Sequence, residues 1–555
     1  MADASFDAVM IGGGVNGLIL GNYMARNGMK VGIFEKNPEL GGALCSSSTP
    51  VPGFIGDPCA DMVGWWRSPV YTDFQLHERG LEIIFPEAVT AQVFPDGRCF
   101  VFLDALDWNR ETGEVTPRMD VIQKNLREIA RIAPQDAERM EKALDQYMLA
   151  GIAFENSVLN PPPLPGEPDP IDMLYDDPKH FMDRRYQSMT SFEVACDIYD
   201  SPEMRSFFLQ WNAIVPTLPN YPTAPEVSIF GMLVPFGLAK IGMAKGGMHN
   251  IAHALQRHFS EYGGEFFVGA EVDGIIVKNG RAAGIKLVDG TEIEARELVI
   301  DTAEIQQALN RHLRDYQVDP EIRRKVSKLI YDTGAVLWGG GIAFHDLPQY
   351  EAEAWNPKLT QARWIFMGDT DIDFLWREYS YQNMHIRPGH WPEKTYMSES
   401  PNSRVDPGCA PPGKHQSLVG IAAFPPASWL SETEWQQVKK EAVDEILKEW
   451  QRYAPNMTKD NVIASNLRTP YDHRGINCNY IEGSPNGPDL LPSQWGRNRP
   501  IPELAQYQVP GIENLWMASS SQHCSIGTQG FCSYPCYKRI AEKHDLWKPW
   551  EERGN

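Results

Sequence analysis

Residues 6–42 constrain the fold of this chain more than any other segment. An apolar run over 6–11 suits a buried parallel strand, and three glycines in the pattern G-x-G-x-x-G follow it at once. Apolar residues then recur at helical spacing, and a second apolar strand over 30–34 ends at Glu35. These features stand in the order that a dinucleotide-binding βαβ unit requires, so the segment predicts an α/β fold with a dinucleotide site.

Each glycine of the pattern has its own physical role in such a site. Gly12 permits a tight turn, Gly14 lets a pyrophosphate approach the backbone, and Gly17 lets the helix pack on the strand. The start of the helix offers free N–H groups and a positive dipole end to phosphate. Glu35 accepts hydrogen bonds from ribose hydroxyls and repels a 2′-phosphate, which disfavours NADP. The alternative is an ordinary βαβ unit whose glycines serve packing alone, and the complete ordered context argues against it.

Composition limits the partners and the compartment. The chain has 555 residues and a formal net charge of −22, so we expect no nucleic-acid partner. Its nine cysteines are scattered and odd in number, which fits a reducing compartment. The N-terminus lacks a basic signal-peptide region, and the glycines of residues 8–25 argue against a membrane span there. We therefore expect a cytoplasmic protein without a transmembrane segment; peripheral membrane contact and the oligomeric state stay open.

The middle of the chain predicts further elements. Pro95-Asp96-Gly97 marks a hairpin, and residues 118–153 form an amphipathic helical region. Residues 227–239 are apolar but too short to span a bilayer, so they either line a lipophilic tunnel or belong to the core, with the core slightly favoured.

Two later segments return to an α/β pattern. Residues 245–303 predict a helix followed by four strands, and residues 511–520 predict a strand before a helix that starts near Thr528. His249 and His253 stand one helical turn apart, as a metal pair can, but no third ligand is evident and no metal is predicted.

Several motifs resemble FAD-dependent oxidoreductases of the amine-oxidase-like and phytoene-desaturase-like kind. They are the pattern GxGxNGL, the pattern FEKxxxxGG, the triplet Pro52-Gly53-Phe54, and Asp406-Pro407 followed by Ala410-Pro411-Pro412-Gly413-Lys414-His415. The last motif points to the phytoene-dehydrogenase-like branch of the amine oxidase superfamily. The resemblance implies that the dinucleotide is FAD, which the glycines alone do not indicate.

The resemblance also implies a fold. It is an α/β architecture with a Rossmann-like FAD-binding domain of the glutathione-reductase type, which is discontinuous in sequence, and an α+β substrate domain with a mixed sheet and cap helices. The implied FAD domain comprises 1–95, 241–305 and 466–555, and the implied substrate domain comprises 96–240 and 306–465.

A set of cofactor-binding residues follows from the glycine motif and the resemblance. The set comprises Gly12, Gly14, Val15, Asn16, Gly17, Glu35, Lys36, Gly41, Gly42, Ala43, Val272, Ser519, Ser520, Thr528, Gln529 and Gly530. In the family, the C-terminal strand and helix return to the flavin, and the positive helix end there favours a reduced, anionic flavin.

The implied reaction is dehydrogenation of a C–C bond in a small-to-medium apolar substrate, by hydride transfer to flavin N5. The implied electron acceptor is oxygen, a quinone or another carrier. Three alternatives stay open: a flavin-dependent saturase or isomerase, an amine oxidase, and a non-catalytic FAD-stabilised interaction protein.

His523 is the one candidate catalytic residue. The branch usually has Ser-Thr-His-Pro-Gly-Gly-Gly above the flavin, where this chain has Ser521-Gln522-His523-Cys524-Ser525-Ile526-Gly527. The histidine is therefore kept while the loop around it is altered. It acts either as a base or carbonyl-polarising donor near the flavin, or as a structural residue that bonds the loop backbone.

Overall fold

The computed structural model describes residues 2–61, 64, 67–176, 182–214, 217–331, 341–525 and 530–553. The strands of these residues are, in chain order, β1 (Ala4–Ile11), β2 (Val31–Phe34), β3 (Ile83–Ile84), β4 (Ala88–Val93), β5 (Cys99–Leu103), β6 (Leu106–Trp108), β7 (Val115–Pro117), β8 (Met243–Ala244), β9 (Glu265–Phe267), β10 (Val272–Lys278), β11 (Arg281–Leu287), β12 (Glu292–Asp301), β13 (Ile342–Phe344), β14 (Ile365–Met367), β15 (Met397–Ser400), β16 (His415–Ile421), β17 (Val462–Ser465) and β18 (Leu515–Met517).

The α-helices connect and cover these strands. They are, in chain order, α1 (Val15–Arg26), α2 (Pro69–Asp73), α3 (Met119–Ala130), α4 (Pro134–Lys142), α5 (Leu144–Leu159), α6 (Pro170–Tyr175), α7 (Ser191–Ile198), α8 (Pro202–Ile214), α9 (Pro225–Leu233), α10 (His249–Glu261), α11 (Ile305–Gln307), α12 (Pro320–Val326), α13 (Gln382–His385), α14 (Asn402–Val405), α15 (Glu432–Trp450), α16 (Pro470–Ile476), α17 (Ser533–His544) and α18 (Pro549–Glu552). None of the helices in the described ranges combines the length and the apolar character that crossing a membrane demands.

The first sheet contains the predicted βαβ unit. Its strand order is β10-β11-β12-β1-β2-β9, and β18 pairs with β12. The pairings of β1 with β2 and β12, of β2 with β9, and of β12 with β18 are parallel, whereas β10 and β11 pair antiparallel. Helices α1, α10 and α17 share one apolar cluster with the strands of this sheet. The carboxyl ends of the parallel strands therefore meet at one edge, where ligands of α/β sheets bind.

The second sheet is mixed, as expected for the substrate domain. Its strand order is β17-β13-β16-β15-β14-β4-β5, and β14 pairs with β4 in parallel whereas the other pairings are antiparallel. Helix α15 covers one face of this sheet through Trp435 and Val438. A capping box fixes the start of this helix. In it the Ser431 hydroxyl accepts from the backbone N–H of Glu434, and the Glu434 carboxylate accepts from the backbone N–H of Ser431.

The structure differs from the predicted domain boundary at residue 95. Strand β4 pairs in the second sheet, whereas that boundary would place it with the first. The partner of β4 in parallel is β14, which lies some 270 residues later, and no local pattern encodes such a pairing. The division into two domains otherwise stays a prediction.

The apolar core beside the second sheet contains residues of the helices from the middle of the chain. The helical region over 118–153 forms three separate helices, α3 to α5. Helix α9 contributes Val227, Ile229 and Met232 to the same cluster, and all three are buried. Of the two interpretations of residues 227–239, core packing is therefore the one that the described contacts fit.

Candidate active site

A cavity of about 570 Å³ lies between the two sheets. One wall comes from the carboxyl edge of the first sheet, where Ile11 ends β1 and Phe34 ends β2. The opposite wall includes Phe366 of β14 and Ile421 of β16. The cavity therefore has one end at the predicted dinucleotide site and the other against the second sheet.

The three glycines of the motif meet different steric demands. Gly12 has a φ of +93°, and a Cβ there would lie 2.6 Å from Oγ1 of Thr302. A Cβ on Gly17 would lie 2.0 Å from the carbonyl oxygen of Gly12. A Cβ on Gly14 would meet only the Cα of Gly42, at an ordinary 3.8 Å. Packing thus requires Gly12 and Gly17, whereas Gly14 leaves space in the cavity for a ligand.

The start of α1 has the features of an anion site in this wall. Gly14 is the N-cap residue and supplies no side-chain acceptor, and no acidic residue stands in the first turn. Val15 and Asn16 line the cavity there. Because the first N–H groups of a helix have no intrahelical acceptor, they are available to a pyrophosphate.

Glu35 lies beside that anion site. Its side chain is 7% exposed and lines the cavity. One carboxylate oxygen accepts from the backbone N–H of Gly13 at 2.7 Å, and the other accepts from that of Asn37 at 2.8 Å. A carboxylate has about four acceptor positions, so this anchored group can still bind ribose hydroxyls.

Gly41 and Gly42 bring the following loop against the glycine turn. The N–H of Gly41 donates to the carbonyl of Gly13 at 2.9 Å. Gly42 has a φ of +59°, and a Cβ there would lie 3.0 Å from the Cα of Gly14. This close backbone crossing leaves Gly42 and Ala43 in the cavity wall.

The C-terminal strand returns to the same cavity through Ser520. Ser520 lines the cavity, and its carbonyl accepts from Nη2 of Arg499 at 2.7 Å. The guanidinium of Arg499 is fully buried and also donates to the carbonyls of Gln494, Asn486, Pro488 and Gln522. Burial lowers the pKa of Arg499 to about 10. The Arg499 guanidinium therefore links the loop of residues 486–494 to the loop of residues 520–522 in the cavity wall.

The predicted cofactor residues divide into three groups. Those that line the cavity are Gly12, Gly14, Val15, Asn16, Glu35, Lys36, Gly42, Ala43, Val272 and Ser520. Those that do not line it are Gly17, Gly41, Ser519 and Gly530. Thr528 and Gln529 lie outside the described residues. The open space at Gly14, the helix start and Glu35 together fit a bound dinucleotide.

Aromatic side chains form the other end of the cavity. Trp364 and Phe366 stack with ring centroids 5.8 Å apart, and Tyr396 lines the cavity beside them. Ile365, which lies between the first two, packs into the apolar cluster on the opposite face of the sheet. We call the region formed by Trp364, Phe366, Tyr396 and Ile421 the aromatic compartment.

A small polar group interrupts the apolar wall. His473 and Tyr480 line the cavity with their rings edge to face at 6.2 Å, and both side chains are buried. Cys45 and Cys59 line it as well. Asp61 also lines it, and its carboxylate pairs with the buried guanidinium of Arg363 at 3.2 Å.

His523 stands apart from the residues that line the cavity. It is 2% exposed, and its Nε2–H donates to the carbonyl of Ser157 at 2.9 Å. Its ring meets Trp495 edge to face at 5.8 Å, and burial lowers its pKa to about 4. This geometry fits the structural role predicted for it, and the catalytic role stays a prediction.

Sequence reasoning missed the aromatic compartment and the two thiols. The signal for the compartment was the alternation of Trp364 and Phe366 with Ile365, which places two aromatic rings on one face of a strand. The thiols carried no comparable signal, because Cys45 and Cys59 are 14 residues apart in a loop without regular periodicity and their proximity depends on a reversal of the chain.

Comparisons with known proteins agree with this architecture. A family model described as flavin containing amine oxidoreductase matches residues 16–338. Pyridine nucleotide-disulfide oxidoreductase domain-containing protein 2 of Mus musculus is 22% identical, over 95% of this chain and 91% of its own length. The 4,4'-diapophytoene desaturase (4,4'-diapolycopene-forming) of Methylomonas sp is 22% identical, over 66% of this chain and 67% of its own length.

A solved structure shares the fold. Putrescine oxidase bound to putrescine superposes with a TM-score of 0.58 at 12% identity, covering 98% of this chain and 99% of its own. At that identity the likeness shows the α/β fold with its two sheets, and nothing about the substrate.

Proposed function

Because the chain belongs to the family of flavin-containing amine oxidoreductases, we propose that it is an FAD-dependent dehydrogenase that desaturates a C–C bond of a small-to-medium apolar substrate. FAD, when bound, supplies a hydride acceptor at N5 of its flavin ring. The glycine turn, the start of α1 and Glu35 hold the dinucleotide, and the second sheet holds the substrate. The proposed final acceptor of the electrons is oxygen, a quinone or another carrier.

The aromatic compartment carries this proposal. Trp364, Phe366 and Tyr396 give the substrate end of the cavity an apolar surface, and the side chains of all three are almost fully buried. A hydrocarbon gains free energy in such a compartment because its apolar surface leaves water. A buried compartment also keeps water away from the reacting bond.

The pairing of the carboxylates argues against an amine substrate. Among the described residues that line the cavity, Asp61 is paired with Arg363, and Glu271 is paired with Arg311 at 2.7 Å. Glu35 and Glu39 lie at the dinucleotide end of the cavity. Backbone N–H groups hold Glu35, and Glu39 lies 3.7 Å from Nδ1 of His249. A protonated amine in the aromatic compartment would therefore lack a free carboxylate, and burying an unpaired charge is costly.

The similarity to a desaturase supports the same choice. The Methylomonas protein is named as a desaturase of 4,4'-diapophytoene that forms 4,4'-diapolycopene, and it matches 66% of this chain. We propose a substrate of the same chemical class, a hydrocarbon or terpenoid that lacks a charged group near the reacting bond.

Anaerobic mixing of the FAD-loaded protein with candidate substrates tests this proposal. The panel holds cyclic and linear terpenes, and putrescine and benzylamine as amines. We expect terpenes to bleach the flavin absorbance without added reductant, and the amines to leave it unchanged.

The other outcomes each overturn the proposal in a defined way. Bleaching by amines alone would make the protein an amine oxidase. Product from pre-reduced protein without lasting bleaching would make it a saturase or isomerase. Full FAD occupancy without any reaction across the panel would favour a non-catalytic flavoprotein.

A further inference from the structure

Two free thiols face each other in the cavity wall. Cys45 and Cys59 are unbonded in the structure, and both line the cavity that receives FAD. Each thiol is the neighbour that most affects the pKa of the other. Cys45 lies two residues after Ala43, and Gly42 and Ala43 form part of the same wall.

The fold of the intervening loop brings the two thiols together. Ser47 and Gly56 exchange backbone hydrogen bonds at 3.0 Å in both directions, so the chain reverses between the cysteines. The hydroxyl of Ser46 donates to the carboxylate of Asp57 at 2.6 Å, which ties the two arms together. The same carboxylate accepts from the backbone N–H of Met248 at 3.0 Å. The contact between the thiols is therefore held by the surrounding structure.

Neighbouring groups favour a thiolate on Cys59. The interaction with the Cys45 thiol, followed by the interaction with His473 and the charge of Arg468, holds the pKa of Cys59 well below its ordinary value. The interaction with Cys59 and burial raise the pKa of Cys45. Tyr480 is a further neighbour of Cys59. A thiolate is the reactive form in disulfide chemistry.

The imidazole of His473 supplies an independent observation. It is 4% exposed and lines the cavity, where it contacts Cys59. Within the part of the chain that the structure describes, neither of its ring nitrogens has an aligned hydrogen-bond partner. A buried imidazole with both nitrogens available beside a thiol is placed to take a proton from it.

We propose that Cys45 and Cys59 are a dithiol–disulfide couple that exchanges two electrons with the FAD of the same cavity. In the oxidative direction a bond forms between the two Sγ atoms and the S–H bond of Cys45 breaks, while the proton of Cys59 has already passed to His473. Two electrons leave the sulfurs and two protons leave Cys45 and His473, and FAD takes up both electrons and both protons, so that dithiol plus FAD gives disulfide plus reduced FAD. His473 carries the proton of Cys59 during this exchange. The protein would then store twice the reducing equivalents of its flavin.

Anaerobic reductive titration of the holoprotein tests the couple. The protein is first oxidised with ferricyanide, desalted, and titrated with dithionite while flavin absorbance is followed. We expect wild type to consume about four electrons per flavin, and Cys45→Ser and Cys59→Ser to consume about two. Cys478→Ser is the matched control, because Cys478 also lines the cavity but lies outside the pair, and it should keep the wild-type value.

Mass spectrometry of the wild-type protein gives a second readout that does not depend on the variants. Alkylated, unreduced digests should contain a peptide linked through Cys45 and Cys59 after ferricyanide, and should lose it after dithionite. Consumption of about two electrons by wild type, or absence of that linked peptide, would overturn the proposal. Both readouts are independent of the substrate, so failure of the proposed dehydrogenase reaction would leave them unchanged.

Discussion

The proposed cofactor site requires glycine at position 14, whereas the packing of the fold does not. A Cβ there meets only an ordinary 3.8 Å contact with protein, whereas a Cβ on Gly17 would lie 2.0 Å from a backbone oxygen. We expect Gly14→Val to fold normally and to purify without FAD, because its side chain occupies the approach of the pyrophosphate. The ratio of flavin to protein absorbance and the thermal unfolding of the apoprotein measure the two effects.

Gly17→Ala is the control for that change. It should lower the free energy of unfolding by several kcal/mol, since the backbone oxygen of Gly12 cannot move away easily. A yellow Gly14→Val protein with an unchanged spectrum would refute the placement of the dinucleotide.

His523 gives a prediction about pH. Its folded pKa of about 4 lies below the ordinary 6.5, because burial disfavours the charged ring. As the pH falls from 6.5 to 4, the unfolded chain binds a proton that the folded protein does not, so the protein loses stability. The loss from this residue approaches about 3 kcal/mol.

The variant His523→Gln should not show this loss of folding stability between pH 6.5 and 4, because glutamine can still donate to the carbonyl of Ser157 but does not titrate. Denaturant unfolding at several pH values measures it, and an identical pH profile for the two proteins would contradict burial of a neutral ring. The same variant tests the predicted catalytic role: slower flavin reduction at pH 7 with full FAD occupancy would establish that role.

At the scale of elements, β14 presents its residues to two different environments. Phe366 faces the aromatic compartment, and Ile365 packs on the opposite side of the sheet. Phe366→Ala should slow flavin reduction by substrate at least about tenfold with FAD retained, because the substrate loses its apolar wall. Stopped-flow reduction measures this effect.

Ile365→Ala is the matched core variant. It should cost about 2–5 kcal/mol of unfolding free energy, as removal of a buried isoleucine does, with the reduction rate nearly unchanged. Equal rates for the two variants would show that the compartment does not contact the substrate.

The sequence predicted elements well where their signals are local. The βαβ unit of residues 6–42 was predictable, because the glycines and the apolar periodicity lie within a short stretch. The second sheet was not, because β4 and β14 pair across a long separation. The aromatic compartment required that pairing, and the contact of Cys45 with Cys59 required the reversal at Ser47 and Gly56.

For the molecule as a whole, the net charge of −22 bears on its redox partners. A negative protein repels an anionic oxidant, and salt screens that repulsion. Reoxidation of the reduced flavin by ferricyanide should therefore speed up several-fold between low and physiological ionic strength. Reoxidation by a neutral benzoquinone is the control and should not respond; equal responses of the two oxidants would contradict long-range repulsion.

The sheet at the proposed dinucleotide site contains strands from opposite ends of the chain. Strands β1 and β2 are synthesised first, β12 follows hundreds of residues later, and β18 comes at Leu515–Met517. A ribosome must therefore translate Ser520 before the cavity wall is whole. Until then β12 lacks its last neighbour, and its exposed edge is open to chaperones or to a second nascent chain. The proposed FAD site is thus complete only near the end of synthesis, and flavin bound to a stalled nascent chain that ends before Ser520 would contradict this placement of the site.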